Sequence, residues 1–121
     1  VLRTIDYLNR LPIQGVKLQL LHVLSDSDLA DLYRAGEYTP LEKEEYLTLV
    51  GDCIAHLRAD IVLHRLTGDG DKNTLLAPLW SLRKRDVLNH LHRYLKENHI
   101  RQGMSCKIDL SVIYNKPKDV L

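Results

Sequence analysis

A chain of 121 residues is long enough for one domain or for a piece of one. Its 45% hydrophobic, 27% charged composition suits a globular fold, and with no Phe the core must be aliphatic, mostly Leu. A formal net charge of +1 leaves no electrostatic footprint for nucleic acid or an anionic membrane, and no run approaches the roughly 18 apolar residues of a membrane span.

Leu2, Ile5, Leu8 and Leu11 recur at helical spacing and Pro12 follows, so a helix is expected over residues 1–10. After Gly15, Val16, Leu18 and Leu20 alternate with Lys17 and Gln19, a period of two that marks a strand. Ser25, Asp26, Ser27 and Asp28 supply turn and cap residues. A short helix through Leu29, Leu32 and Tyr33 is then closed by Gly36. Thr39, Pro40 and Glu42 form a helix start with a capping box. Leu47, Val50, Cys53, Ile54 and Leu57 carry the apolar face to about Arg58.

Residues 60–66 form a second strand, nearly continuous in apolar character as buried parallel strands tend to be. Thr67, Gly68, Asp69, Gly70 and Asp71 make a glycine turn, and residues 75–80 an apolar loop. A helix should open at Ser81, present Val87, Leu88, Leu91 and Leu95, and run to about Asn98. From Met104 a weak alternation indicates a strand or a loose tail, so residues 1–103 and 104–121 are set apart.

Strands alternating with helices predict an α/β fold with parallel pairing. Two strands alone leave unpaired edges, so an arc of a larger sheet or barrel is expected, with self-association through the edges as one outcome. The start at Val1 rather than Met adds to the expectation of a piece cut from something longer. Cys53 and Cys106 lack CxxC spacing. They read as reduced thiols, Cys53 buried, in the reducing cytoplasmic compartment.

The loop leaving the carboxyl end of a parallel strand is where ligands bind in α/β proteins. Lys17 and Gln19 share one strand face, and His22 follows where that strand ends. Val62 and His64 share a face of the second strand, while Ile61, Leu63 and Arg65 share the other. Taken alone, Lys17 and Gln19 read as facing solvent, His64 as structural, and Gly68 and Gly70 as relieving a tight turn. A calcium loop counted from Asp69 fails, because its sixth and twelfth positions hold Thr74 and Trp80. His90 and His92 point apart on a helix, and Arg83, Lys84 and Arg85 read as a solvated face. Neither GxSxG nor GxGxxG occurs.

GVKLQLLHVLSDSDLADLY, TPLEKEEYLTLV and VLHRLTGDGDKNTLLAPLWSLRKRDVLNHL resemble the C-terminal part of a bacterial radical SAM family. Its members are Fe–S oxidoreductases near the elongator-catalytic-subunit and oxygen-independent coproporphyrinogen oxidase branches. The resemblance covers residues 1–103. It implies a (β/α) barrel, often partial, with a [4Fe–4S] cluster on CxxxCxxC and S-adenosylmethionine as the radical source. It also implies that Lys17 and Gln19 point into the lumen and that His22, His64, Arg65, Thr67, Gly68 and Gly70 border the SAM pocket. CxxxCxxC is absent here. The expectation is therefore a C-terminal fragment, inactive alone, whose cluster and whose partner, the N-terminal half of the barrel, lie elsewhere. The alternative is a small stand-alone α/β interaction or ligand-binding module that uses the Gly68–Gly70 turn.

Overall fold

The computed structural model describes residues 1–67, 71–108 and 113. Its elements run α1 (Leu2–Asn9), β1 (Gly15–Lys17), β2 (Val23–Leu24), α2 (Asp28–Arg34), α3 (Lys43–His56), β3 (Val62–Arg65), β4 (Leu75–Ala77), a 3-10 helix (Leu79–Leu82) and α4 (Lys84–Glu97). Among the described residues this is a mixed α/β domain with four α-helices and two two-stranded sheets.

Helix α3 organises the core because its apolar residues recur at helical spacing. Tyr46, Leu47, Val50, Cys53 and Ile54 are all buried. Helix α4 lays Val87 and Leu91 against it, with Tyr94 and Leu95 half-buried at the border. Gly51 lies under the ring of Tyr94, where a Cβ would come within 2.7 Å of the ring's Cε1. The missing side chain makes that close approach possible. A second cluster joins Ile5 of α1 to Cys53, Leu57 and Ile61, and Cys53 is a free, buried thiol as expected.

Strands β1 and β3 pair in parallel, with Gly15 opposite Val62 and Val16 opposite Leu63. An irregularity after Val16 brings Lys17 opposite Arg65, and the Leu18 amide still donates to the Arg65 carbonyl at 2.9 Å. Helices cover one face of this pair. Val16, Leu18, Ile61 and Leu63 pack into the two clusters, whereas Lys17, Gln19, Val62 and His64 alternate with them and are exposed.

The chain departs from the sequence expectation in four places. The first strand stops at Lys17, and Val23–Leu24 joins Leu75–Ala77 in a separate antiparallel pair. Leu20 turns into the α3–α4 core while Val23 packs with Ala30 and Ala77, two destinations that one straight strand does not reach. Residues 75–80 are consequently not an open loop. Leu75 and Ala77 are buried in β4, and the Ser25 amide donates to the Thr74 carbonyl at 2.7 Å. Helix α3 is capped by Glu42, whose capping box with Glu45 lies three residues beyond Thr39, and it ends at His56 rather than Arg58. Helix α4 begins at Lys84 because the Ser81 hydroxyl is used inside the 3-10 turn, donating to the Pro78 carbonyl at 2.7 Å. Residues 104–108 form no strand, Ile113 is buried, and the rest of the expected tail lies outside the described residues.

Arg58, 2% exposed, ties these pieces together. Its guanidinium donates to the carbonyls of Asn9 (2.7 Å), Leu11 (3.0 Å) and Ile13 (3.0 Å), and its Nε to Asp60 Oδ1 (2.5 Å). Its amide donates to Asn9 Oδ1 at 2.9 Å, and Asn9 Nδ2 in turn donates to the His56 carbonyl at 2.7 Å. The Gln102 side-chain amide donates to the carbonyls of both Arg58 (2.9 Å) and Ile61 (2.6 Å). One planar fork therefore holds the segment leading into β1 against the turn leading into β3.

Replacing Arg58 with Met leaves three carbonyls without their donor and removes the partner of the part-exposed Asp60, and should destabilise the protein by about 3 kcal/mol. Arg58→Lys keeps the charge but not the fork, and should recover only part of that loss. Urea unfolding followed by circular dichroism reads both. A wild-type midpoint in Arg58→Met would show that the network contributes nothing.

Candidate functional site

Because helices shield only one face of the β1–β3 pair, the other face gathers the polar strand residues. Lys17, Gln19 and His64 are each exposed, alternating with the packed Val16, Leu18 and Leu63. The His64 ring lies over Gly15: a Cβ at that position would meet its Cδ2 at 2.6 Å. Gly15 thus leaves room for an imidazole to lie across the strand pair. Val62, 54% exposed, is the apolar member of this face.

Arg65 is half-buried at the end of β3, with its backbone paired to β1. Thr67 follows it into a shallow depression of 310 Å³ lined by Leu63, His64, Arg65, Leu66, Thr67 and Leu88. Gly68 and Gly70, the centre of the expected glycine turn, lie outside the described residues. The chain resumes at Asp71, whose carboxylate accepts from the Asn73 amide at 3.0 Å and whose carbonyl accepts from Leu75 at 2.9 Å. That local turn delivers the backbone into β4.

His22 is not brought to the open face by any contact among the described residues. It is half-buried just before β2, and its Nε2 is buried without a hydrogen-bond partner. Burial lowers its pKa first and the neighbouring Lys84 ammonium lowers it further, so the ring is held neutral. A neutral imidazole with one orphaned nitrogen is the unsatisfied polar group of this region.

Sequence reasoning missed Tyr46, which anchors the rim of the site. Its phenol donates to the Leu66 carbonyl at 2.5 Å, the last backbone acceptor before Thr67. Its ring stands 5.5 Å from that of Trp80, whose indole N–H donates to the Leu41 carbonyl at 3.0 Å. Burial, and secondarily Cys53, pushes the Tyr46 phenol from its ordinary 10.0 up to about 12. The signal was present: Tyr46 lies four residues before Val50 on the apolar face of α3.

The geometry defines an α/β domain whose parallel pair is helix-backed on one face and polar on the other. Residues 13–97, from just before β1 to the last residue of α4, match the Radical_SAM C-terminal domain, and the chain belongs to that family. It is similar to the uncharacterized protein YtqA of Bacillus subtilis, 32% identical over 93 residues, which cover 77% of this chain and 29% of that protein. Protein YhcC of Escherichia coli K12 is 31% identical over 100 residues, covering 83% and 32%. The uncharacterized protein MJ0486 of Methanocaldococcus jannaschii is 30% identical over 104 residues, covering 85% and 32%. The chain thus spans about a third of the length of these curated relatives.

The residues of this chain do not fit a [4Fe–4S] cluster. Cys53 is enclosed by Ile5, Leu57 and Ile61, and burial raises its thiol pKa, the opposite of what a thiolate ligand requires. Cys106 lies in the segment after α4, and no group of three or more metal-ligating side chains occurs among the described residues. The open face does fit part of a polar ligand, since it offers an ammonium, a carboxamide and an imidazole within one strand pair.

Two outcomes test this construction. A raised phenol pKa means that the contribution of Tyr46 to stability is complete below about pH 10 and is lost as pH rises toward about 12. Unfolding free energies measured over that range should fall for wild type and lose that component in Tyr46→Phe, which should itself cost about 1 kcal/mol at neutral pH. Gly15→Ala should displace the exposed His64 ring rather than unfold the sheet. Imidazole NMR shifts should move while the melting temperature changes little, and an unmoved ring would contradict the placement.

Proposed function

We propose that this domain is the C-terminal arc of a radical SAM enzyme barrel and contributes the polar wall of its S-adenosylmethionine pocket. The observation that carries this reading is the one-sided sheet. Parallel strands are ordinarily covered on both faces, yet here the face bearing Lys17, Gln19 and His64 is open, and β1 and β3 pair only with each other among the described residues. Family membership and the greater length of the relatives, of which the matched residues cover 29% and 32%, support a partner segment on that side.

In this reading an N-terminal part of the protein supplies the remaining strands and the cysteines. A cluster held by those cysteines would supply one-electron reducing chemistry. Lys17 offers a cation to the methionine carboxylate, and Gln19 and His64 offer hydrogen bonds to the nucleoside side. Arg65, Thr67, Gly68 and Gly70 border the pocket. We further propose, from the resemblance of residues 1–103 alone, that the parent enzyme lies near the elongator-catalytic-subunit and oxygen-independent coproporphyrinogen oxidase branches. The chain by itself is expected to be inactive and cytoplasmic. In the described structure no helix is long and apolar enough to cross a membrane.

The complete open reading frame should encode a CxxxCxxC upstream of residue 1. In the full-length protein, reconstituted anaerobically, Lys17→Ala and His64→Ala should each weaken S-adenosylmethionine binding by about 10-fold, the scale of one charged or polar contact. Isothermal titration measures this. A frame without the motif, or full affinity in both variants, would sink the proposal.

A further inference from the structure

Outside the open face, three polar side chains converge where the first turn of α3 meets α4. Lys43 Nζ stands 2.6 Å from His90 Nδ1 and 3.5 Å from Asp86 Oδ2, while His90 Nε2 stands 3.5 Å from Asp86 Oδ1. An ammonium this close to Nδ1 requires that nitrogen to present its lone pair, so the ring carries its proton on Nε2, toward the carboxylate. The order is amine, imidazole, carboxylate, which is the order of a nucleophile, its base and the group that orients the base.

We propose that Lys43 is a preferred site of covalent acylation, with His90 as its general base and small acyl phosphates as the donor class. Transfer of one proton from the Lys43 ammonium to His90 Nδ1 leaves a free amine. The positive charge moves to the imidazole yet stays 3.5 Å from Asp86, so the separation costs less than at an isolated lysine. The amine nitrogen attacks the acyl carbon, forming the N–C bond. The bond from that carbon to the phosphate oxygen breaks, and inorganic phosphate leaves with the electron pair. The second nitrogen proton departs with the phosphate, and the imidazolium returns its own to water. The amide that remains carries no charge and cannot restore the ammonium contacts to His90 and Asp86.

Access and neighbouring charge are compatible with this. The Lys43 side chain retains 20% of its exposure, Asp86 45% and His90 33%, so a small donor reaches the amine from solvent. Glu42 and Glu44 flank Lys43 in sequence; both are exposed and screened, and Glu42 is engaged in the helix cap. Lys72, Lys96 and Lys107 are more open and serve as internal references.

The test is site-resolved mass spectrometry of the intact protein during brief exposure to acetyl phosphate. Lys43 should acetylate about fivefold faster than Lys72, Lys96 or Lys107 despite its lower exposure, because a positioned base assists it. His90→Gln, compatible with the surface position, should bring Lys43 down to their rate. Trinitrobenzenesulfonate labelling of the wild-type protein gives a second reading that depends on no variant, and should rank Lys43 first of the four. Lys43 reacting no faster than the exposed lysines with either reagent, or an unchanged rate in a folded His90→Gln, would overturn the assignment.

Discussion

The structure depends on one buried cation. Arg58 sits at the point where the helical layer hands the chain to β3, and its fork reaches back to three carbonyls, from Asn9 at the end of α1 to Ile13 before β1. Those of Leu11 and Ile13 belong to a stretch with no regular structure, where backbone carbonyls would otherwise lack a partner. Asp60 balances the charge and Asn9 and Gln102 complete the hydrogen bonding, so the network meets the condition under which a buried ion is tolerable. The last acceptor of Arg58, Ile13, lies two residues before β1, so the network holds the approach to the strand pair whose register sets Gly15 opposite Val62.

That register has a chemical consequence. With Gly15 opposite Val62 and the ladder irregular after Val16, Val16, Leu18 and Leu63 pack on the helix side, while Lys17, Gln19, Val62 and His64 are exposed. A shift of one residue would bury Lys17 and expose Val16. The open face is thus a by-product of satisfying the core, and the same packing that makes the domain stable leaves Lys17, Gln19 and His64 exposed. Tyr46 extends the logic to the carboxyl end of β3, where a phenol rooted in α3 holds the backbone at Leu66 just before the chain leaves the core.

Helical spacing and strand alternation made much of this legible. The stripe through Leu47, Val50, Cys53 and Ile54, the turn at Gly36 and the parallel pairing of the strands around Val16 and Leu63 follow from local patterns whose outcome packing did not reverse. The cap of α3 was displaced because Glu42 and Glu45 form a reciprocal box that Thr39 does not enter. The antiparallel β2–β4 pair was invisible, since strands of two and three residues leave no periodicity to read. On the site, the shared exposure of Lys17, Gln19 and His64 was readable from alternation, whereas the placement of His22 against α4 was not.

The sequence by itself determined the class of fold, the location of the polar strand face and, through its matched segments, membership of the radical SAM C-terminal domain family. These rest on local spacing and on long runs of residue identity, which one chain displays without folding. Tertiary structure alone decided that Arg58 is buried, that Tyr46 reaches Leu66, and that Lys43 meets His90 across 47 positions of sequence. Each of those contacts joins residues that no period connects, and each exists only because packing α3 against its neighbours leaves a polar group that must find a partner.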